Sequence, residues 1–263
     1  MKGGYRLLLD ARAQSQARAL YSGEYDRQNI EIIGRLMRPG GMVIDVGANI
    51  GFYTVPLAAR ARELGGRVAA FEPLQQNFDR LSQNVALNRL DDAVVLHQLG
   101  LADRAGTATL TLREDFDEGA SAGNAAILIE DGRDVSFQSV QIQIARLDEI
   151  WPVSARVDFI KVDVEGHEDL FLLGARATLI RFRPAIQVEV CRGYYSRRGM
   201  DLDRLLPSLM PQNYVIFRIR PPSMHALMPH LRGKLKKVSD LSTVPELTDV
   251  FLIPEERVRS LTT

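Results

Sequence analysis

The sequence predicts a doubly wound α/β domain, in which a mostly parallel sheet is covered by helices on both faces. Short apolar runs rich in β-branched residues alternate along the chain with amphipathic stretches of helical length. The first of these runs ends in a carboxylate and turns through a glycine-containing loop, residues 45–51. With 46% apolar and 25% charged residues, the chain can bury a full core, which excludes a disordered or collagen-like protein.

The N-terminal half predicts three strands, each preceded by a helix or followed by one. The first helix, residues 26–37, carries Ile30, Ile33 and Met37 on one apolar stripe and ends at the Pro-Gly-Gly run that follows it. The other predicted elements of this half are short apolar strands and helices of 3.6-residue period: the strands 42–46, 67–71 and 93–99, a helix after the first strand that ends near residue 63, and a helix at 74–87.

The C-terminal half begins with two segments of period-two alternation, 107–112 and 139–144, which predict an antiparallel pair in the sheet or on its rim. The segment between them, 113–138, holds seven acidic residues and is too long for an idle connection, so we interpret it as a lid. Later apolar runs predict a helix at 168–180 and strands at 157–162, 185–190, 214–219 and 250–253.

These elements predict one domain over residues 1–263. Its expected parts outside the sheet are an N-terminal helical cap, 1–38, and two insertions, 113–138 and 220–240. Seven basic residues and no acid occur in 204–239. Two interpretations stay open for this segment: a solvated surface, which is the usual meaning of a charge run, or a docking surface for an anionic acceptor.

Charge and cysteine content restrict the partners and the compartment. The 33 basic and 33 acidic side chains cancel, so no global field draws the protein to nucleic acid or to an anionic membrane. Cys191 is the single cysteine and cannot form an internal disulfide, no apolar run approaches the roughly 18 residues of a spanning helix, and the N-terminal apolar run is too short for a signal peptide. We therefore expect a cytoplasmic protein with no nucleic-acid partner and no transmembrane segment.

The ends of the predicted strands carry the candidate binding residues, because ligands of open parallel sheets bind beyond the carboxyl ends of the strands. After the first strand, Gly47 and Gly51 let the backbone turn tightly and approach a ligand. After the second strand, Glu72 stands 21 residues beyond Gly51, where a carboxylate can accept hydrogen bonds from ribose hydroxyls. Together the two strand ends predict an adenosine site.

The loop differs from the dinucleotide pattern G-x-G-x-x-G. Asp45 stands two residues before Gly47 and would repel a pyrophosphate, whereas it suits a cationic or zwitterionic ligand. S-adenosylmethionine, with its sulfonium and amino groups, fits this acid better than a nicotinamide cofactor does.

Four ordered strings resemble the FkbM-type S-adenosylmethionine-dependent methyltransferases over roughly residues 24–190. They are Asp45-Val-Gly-Ala-Asn-Ile-Gly-Phe-Tyr-Thr54, Phe71-Glu72-Pro73 with Asn77 and Asn84 downstream, Leu147-Asp148-Glu149, and Ile160-Lys-Val-Asp-Val-Glu-Gly-His-Glu168. The resemblance implies a class I methyltransferase (Rossmann-like) fold of seven strands with the last antiparallel, and methylation of an oxygen, often a sugar or polyketide hydroxyl.

The resemblance also implies where the donor lies. Asp45, Gly47, Asn49 and Gly51 would line its methionine and ribose side, and Glu72 would hold the ribose. The residues around Leu101, after the third strand, would meet the adenine.

The end of the fourth predicted strand is the expected catalytic segment. Alternation places Lys161, Asp163 and Glu165 on one side of the extended chain, and Gly166 permits a turn that releases His167. Transfer to a hydroxyl requires removal of its proton, for which His167 and Asp163 are the candidates. His167 has an alternative role as the start of a helix or as a buried, hydrogen-bonded imidazole.

A divalent ion such as Mg²⁺ is the alternative use of the same acids, because it would lower the pKa of an acceptor hydroxyl. Asp163 and Glu189 are the candidate ligands, with Glu165 and His167 beside them, provided that the fourth and fifth strands pair. We assign no role to Lys161 at this stage, since a strand-end lysine commonly pairs with a neighbouring acid.

The sequence thus predicts an O-methyltransferase acting on a small-molecule acceptor, anionic or glycosylated, with a homodimer as a further expectation. Two rival hypotheses stay open: an NAD(P)-dependent oxidoreductase of the same fold, and a non-catalytic donor-binding assembly protein.

Overall fold

A computed structural model of the chain describes residues 4–112, 125–129, 137–219 and 235–258. The strands are β1 (Met42–Val46), β2 (Arg67–Phe71), β3 (Val94–His97), β4 (Gly100–Leu101), β5 (Gly106–Leu112), β6 (Ala125–Ile127), β7 (Gln138–Ala145), β8 (Val157–Val162), β9 (Ala185–Cys191), β10 (Tyr214–Ile219), β11 (Leu235–Val238) and β12 (Leu247–Pro254). The helices are α1 (Gln14–Ser22), α2 (Arg27–Leu36), α3 (Thr54–Glu63), α4 (Gln75–Leu87), α5 (Leu147–Ile150), α6 (Glu168–Gly174), α7 (Arg176–Phe182), α8 (Arg192–Arg197), α9 (Leu202–Leu209) and α10 (Glu255–Val258), with a 3₁₀ turn at Leu241–Thr243.

The main sheet has the strand order β11-β10-β12-β9-β8-β1-β2-β3. The five strands from β9 to β3 are parallel, and β12 runs antiparallel to both of its neighbours, β9 and β10. The predicted doubly wound sheet with an antiparallel last strand is therefore confirmed. The order reverses between β1 and β8, which places the crevice for a ligand at their carboxyl ends.

The prediction of seven strands is wrong, because the described part of this sheet has eight. The additional strand, β11, pairs with β10 at the edge and lies within the predicted insertion 220–240, of which residues 220–234 lie outside the described residues. Its two lysines, Lys236 and Lys237, are exposed. Charged side chains of this kind protect an edge strand from further pairing, and they hide the strand from a search for apolar runs.

The predicted helix 168–180 is two helices, α6 and α7, which meet at Gly174. A Cβ on Gly174 would lie 1.9 Å from the carbonyl oxygen of Ala102, so the chain is forced close to a neighbouring loop at this point. The carboxylate of Asp148 accepts hydrogen bonds from the backbone N–H groups of Ala177 and Thr178, both at 2.8 Å. Asp148 therefore satisfies the free N–H groups at the start of α7.

The predicted antiparallel pair is confirmed as β5 and β7, but it belongs to a second, four-stranded sheet of order β4-β7-β5-β6. The apolar face of this sheet, with Leu110, Ile142 and Ile144, packs against Ala102. Most of the lid predicted at 113–138 lies outside the described residues, which include only 125–129, 137 and 138 of it.

The main sheet is buried on both faces, as a doubly wound fold requires. One face packs under α2 and α3, with Ile33, Val55 and Leu57 fully buried, and the other packs under α6 and α7, with Phe171 and Leu179 fully buried. The predicted cap helix 26–37 is observed as α2. In the part of the chain that the structure describes, no helix is both long enough and apolar enough to span a bilayer.

Candidate active site

A cavity of about 240 Å³ opens at the carboxyl ends of β1, β2 and β8. It lies at the reversal of strand order, where the sequence places the ligand. Seven of the nine residues that the sequence assigns to the site line it: Gly47, Asn49, Glu72, Leu101, Asp163, His167 and Glu189.

The loop between β1 and α3 is held in a tight turn by its own backbone. Gly47 and Ala48 both donate N–H hydrogen bonds to the carbonyl oxygen of Phe71 at 3.0 Å, and Asn49 adopts a left-handed conformation with φ 51°. The side-chain amide of Asn84 donates to the carbonyl oxygen of Ile50 at 2.8 Å. This loop is therefore fixed from both sides before any ligand binds.

Glu72 supports the same loop from the end of β2. Its carboxylate accepts hydrogen bonds from the backbone N–H of Asn49 at 2.8 Å and of Leu74 at 3.0 Å, and from the side chain of Asn77. Burial raises the pKa of Glu72 to about 7, although these hydrogen bonds oppose the shift. A carboxylate has about four acceptor positions, so capacity remains for hydroxyl groups of a ligand.

Asp45 and Gly51 do not line the cavity. Asp45 is fully buried behind the loop, where its carboxylate accepts a hydrogen bond from the hydroxyl of Thr54 at 2.6 Å. Gly51 packs against the helix side, since a Cβ there would lie 2.9 Å from Leu81. Burial raises the pKa of Asp45, which the ammonium of Lys161, 3.6 Å away, opposes.

Three carboxylates meet at the other end of the cavity. Asp163, Glu165 and Glu189 each offer an oxygen within 4.8 Å of the others, so the predicted proximity of β8 and β9 is observed. Burial and the negative charges of Asp163 and Glu165 raise the pKa of Glu189 well above its usual range. Oxygen donors at this spacing suit a hard divalent cation, and His167 is not among the grouped ligand atoms.

The loop that carries these acids is held by a second layer of side chains. Tyr194 donates its hydroxyl hydrogen bond to Glu165 at 3.0 Å, and the carboxylate of Glu168 accepts from the backbone N–H of Val164 and Gly166. Glu165 and Gly166 are both left-handed, with φ 54° and 90°. Glu168 is thus a support of the loop and not a cavity residue.

His167 lines the cavity and begins α6, so both roles that the sequence left open are compatible with its position. It is buried, with 5% of its surface exposed.

The second sheet closes the cavity beside β4. Leu101, which the resemblance assigned to the adenine, lies next to Leu110, Ile127, Ile142 and Ile144 in the cavity wall. These apolar side chains form a surface suited to a flat aromatic ring, and they belong to the antiparallel pair that the sequence interpreted only as a lid.

The N-terminal cap contributes two aromatic residues that sequence reasoning missed. Tyr25 lines the cavity and stacks on Phe52 with ring centres 3.9 Å apart. The hydroxyl of Tyr53 donates to Asp26 at 3.0 Å and accepts from the side-chain amides of Asn29 at 3.2 Å and Gln187 at 3.1 Å. Tyr53 therefore joins the cap to the sheet directly beneath the cavity.

Replacing Tyr53 by phenylalanine is expected to destabilise the protein by about 2–3 kcal/mol, because it removes the buried hydroxyl that satisfies these groups. Urea unfolding followed by circular dichroism measures the effect. The matched control is Tyr21→Phe, whose side chain is 88% exposed and whose loss of a hydroxyl should change nothing. Equal stability of the two variants would contradict the role of Tyr53.

The strand order of the main sheet and the cavity at its switch point define a class I methyltransferase fold. The chain belongs to the FkbM methyltransferase family, since the family's domain, described as the methyltransferase FkbM domain, matches residues 45–216.

Relatives in this family cover about half of the chain. It is 28% identical over 154 residues to the methyltransferase sdnD of Sordaria araneosa, covering 48% of this chain and 57% of that protein. It is 26% identical over 174 residues to the 31-O-demethyl-FK506 methyltransferase FkbM of Streptomyces tacrolimicus, covering 57% and 63%. A crystal structure of the methyltransferase FkbM of Methylobacillus flagellatus aligns with a TM-score of 0.47 at 19% identity, over 94% of this chain and 56% of that one.

Proposed function

We propose that the protein transfers the methyl group of S-adenosylmethionine to a hydroxyl of a sugar, polyketide or related metabolite. The observation that carries the proposal is the convergence of a glycine loop, Glu72 and an apolar wall at one end of a cavity with Asp163 and His167 at its other end. The sequence similarity to a 31-O-demethyl-FK506 methyltransferase supports transfer to oxygen.

The residues present fit the donor. Glu72 would accept hydrogen bonds from the ribose hydroxyls, Leu101 and its apolar neighbours would hold the adenine, and Gly47 and Asn49 would border the methionine part. When bound, S-adenosylmethionine supplies an electrophilic methyl group on a positively charged sulfur.

Asp163 and His167 would act on the acceptor. In our proposal one of them takes the proton of the acceptor hydroxyl, and the other orients that hydroxyl toward the donor. The closed wall of Leu110, Ile142 and Ile144 excludes water from the donor side of the cavity, which limits competing hydrolysis.

A magnesium ion is part of the proposal because the donor set fits it. Asp163 and Glu189, with Glu165 as a third carboxylate, would hold the ion, which would lower the pKa of an acceptor hydroxyl. Tyr194, bonded to Glu165, and Lys161, 3.4 Å from Asp163, keep two of these carboxylates in place.

The acceptor is proposed to be a small molecule, anionic or glycosylated, in a protein of the cytoplasm. The single unpaired cysteine favours a reducing compartment.

Calorimetry with S-adenosylhomocysteine, with and without magnesium chloride, tests the donor site. We expect saturable binding with one ligand per chain, and a nicotinamide dinucleotide should produce no heat. A response to the dinucleotide alone would establish the oxidoreductase alternative.

Methyl transfer is then measured by mass spectrometry with a panel of hydroxylated sugars and polyketides, with and without magnesium. We expect a methylated product from at least one of them, formed faster with the ion. Donor binding without turnover of any hydroxylated compound would favour the non-catalytic assembly protein.

A further inference from the structure

Lys161 is the buried cation of the cavity. It is 3% exposed, and among the described residues that line the cavity it is the only lysine or arginine. A buried ammonium is costly unless it is paired, so its surroundings indicate what it does.

The ammonium of Lys161 connects the ends of two neighbouring strands. Its Nζ donates to the carbonyl oxygen of Gly47 at 3.0 Å and lies 3.6 Å from Asp45 Oδ1, both at the end of β1. On its own strand, β8, it lies 3.4 Å from Asp163 Oδ2. The ring centre of Tyr53 is 5.2 Å from the same nitrogen, within the range of a cation–π contact.

The loop that Lys161 holds has no freedom to sit elsewhere against β8. A Cβ on Gly47 would lie 2.0 Å from the carbonyl oxygen of Asp163, so the two backbones are in direct contact at this point. The N–H of Asp163 also donates to the carbonyl oxygen of Val46 at 3.2 Å. The distance between the glycine loop and the acidic strand end is therefore set at Gly47, where Lys161 binds.

We propose that Lys161 is a positioning residue that fixes the loop 47–51 against the end of β8 and so sets the distance between the methyl donor and the acceptor end. The proposal rests on the proposed function, since it assigns the donor to the loop. Methyl transfer depends steeply on that distance, because the reacting atoms must approach in line.

The contacts exclude a role for Lys161 as a proton acceptor. A lysine takes a proton only as the neutral amine, and two carboxylates within 4 Å of its nitrogen, on opposite sides of the strand pair, keep it charged. Its fixed charge and its hydrogen bond to Gly47 are the properties that a positioning residue needs.

The experiment compares three proteins by calorimetry with S-adenosylhomocysteine. Lys161→Met keeps the aliphatic stem and removes the ammonium, and we expect binding weaker by about 10- to 100-fold, the size of a lost charged hydrogen bond. Lys161→Arg restores a cation, and its affinity should lie between those of Lys161→Met and the wild type. Lys236→Met, on the exposed edge strand, is the matched control and should bind as the wild type does.

Chemical rescue separates positioning from packing. In Lys161→Ala the space of the side chain opens toward the cavity, so n-propylammonium is expected to restore part of the affinity, while n-propanol of similar size should not. Circular dichroism at the temperature of the titration verifies that each variant is folded. If Lys161→Met does not fold, the comparison of Lys161→Arg with the wild type and the rescue of Lys161→Ala carry the test.

The outcomes are distinct. Wild-type affinity in a folded Lys161→Met, equal affinity of the Met and Arg variants, or equal rescue by the alcohol would each overturn the positioning role. A wild-type protein that does not bind S-adenosylhomocysteine would contradict the proposed function itself.

Discussion

Replacing Gly47 by alanine is expected to abolish binding of S-adenosylhomocysteine. Gly47 has φ 74°, and the new Cβ would lie 2.0 Å from the backbone oxygen of Asp163. Because both groups are backbone, the loop must move by about 1 Å or more, and a displacement of that size in a binding loop costs about 100-fold. Calorimetry at a temperature where the variant is folded measures the loss.

Gly65→Ala is the matched control for this variant. Gly65 has φ 69°, nearly the same backbone conformation, but a Cβ there meets nothing within 4 Å. Both alanines carry the left-handed strain of about 1–2 kcal/mol, and only Gly47→Ala adds the clash. If Gly47→Ala binds the ligand as well as Gly65→Ala does, the loop is not the donor site.

Glu72→Gln is expected to weaken the binding of S-adenosylhomocysteine by about 10- to 100-fold at pH 8 and to remove its pH dependence. The pKa of Glu72 is about 7, mainly because of burial. Ribose hydroxyls bond best to the ionised carboxylate, so wild-type affinity should rise as the pH increases from 6 to 8. Calorimetry at both pH values tests this, with the exposed Glu63→Gln on α3 as the control that should behave as the wild type.

The same shift predicts a change in stability. The pKa of Glu72 is higher in the folded protein than its unfolded value of 4.5, so the folded state holds the proton more tightly. Its contribution is most favourable below pH 4.5 and is lost as the pH rises toward 7, by at most about 3 kcal/mol. The difference in urea stability between the wild type and Glu72→Gln should change by that amount between pH 5 and pH 8. A difference that is constant with pH would show that Glu72 is not buried as a carboxylic acid.

The sequence was sufficient for the elements whose signal is local. The strand ends at Asp45, Glu72 and Asp163 follow from short apolar runs with a change of composition after them, and these runs also give the order of helices and strands. Glu189 could be placed near Asp163 only on the assumption that two strands pair, which the register of β8 and β9 confirms.

The rest depends on contacts between distant parts of the chain. Alternation placed Lys161 on the same side as Asp163, but its bond to Gly47 joins residues 114 positions apart. The network of Tyr53 joins the cap, β9 and β12, for which no spacing in the sequence gives a signal. The burial of Asp45 behind its loop was equally invisible, because a strand-end acid can face either a ligand or the protein.

The position of β12 in the middle of the sheet has a consequence for synthesis of the protein. β9 and β10 leave the ribosome first, yet neither can pair with the other, because the place between them belongs to residues 247–254. Until that segment emerges, two strand edges stay open next to the acidic end of the cavity, and Asn29 and Gln187 lack the carboxylate of Asp249 that they bond in the finished protein. The nascent chain is thus exposed to edge-to-edge aggregation up to its final residues, and the cavity is completed only when the last strand inserts.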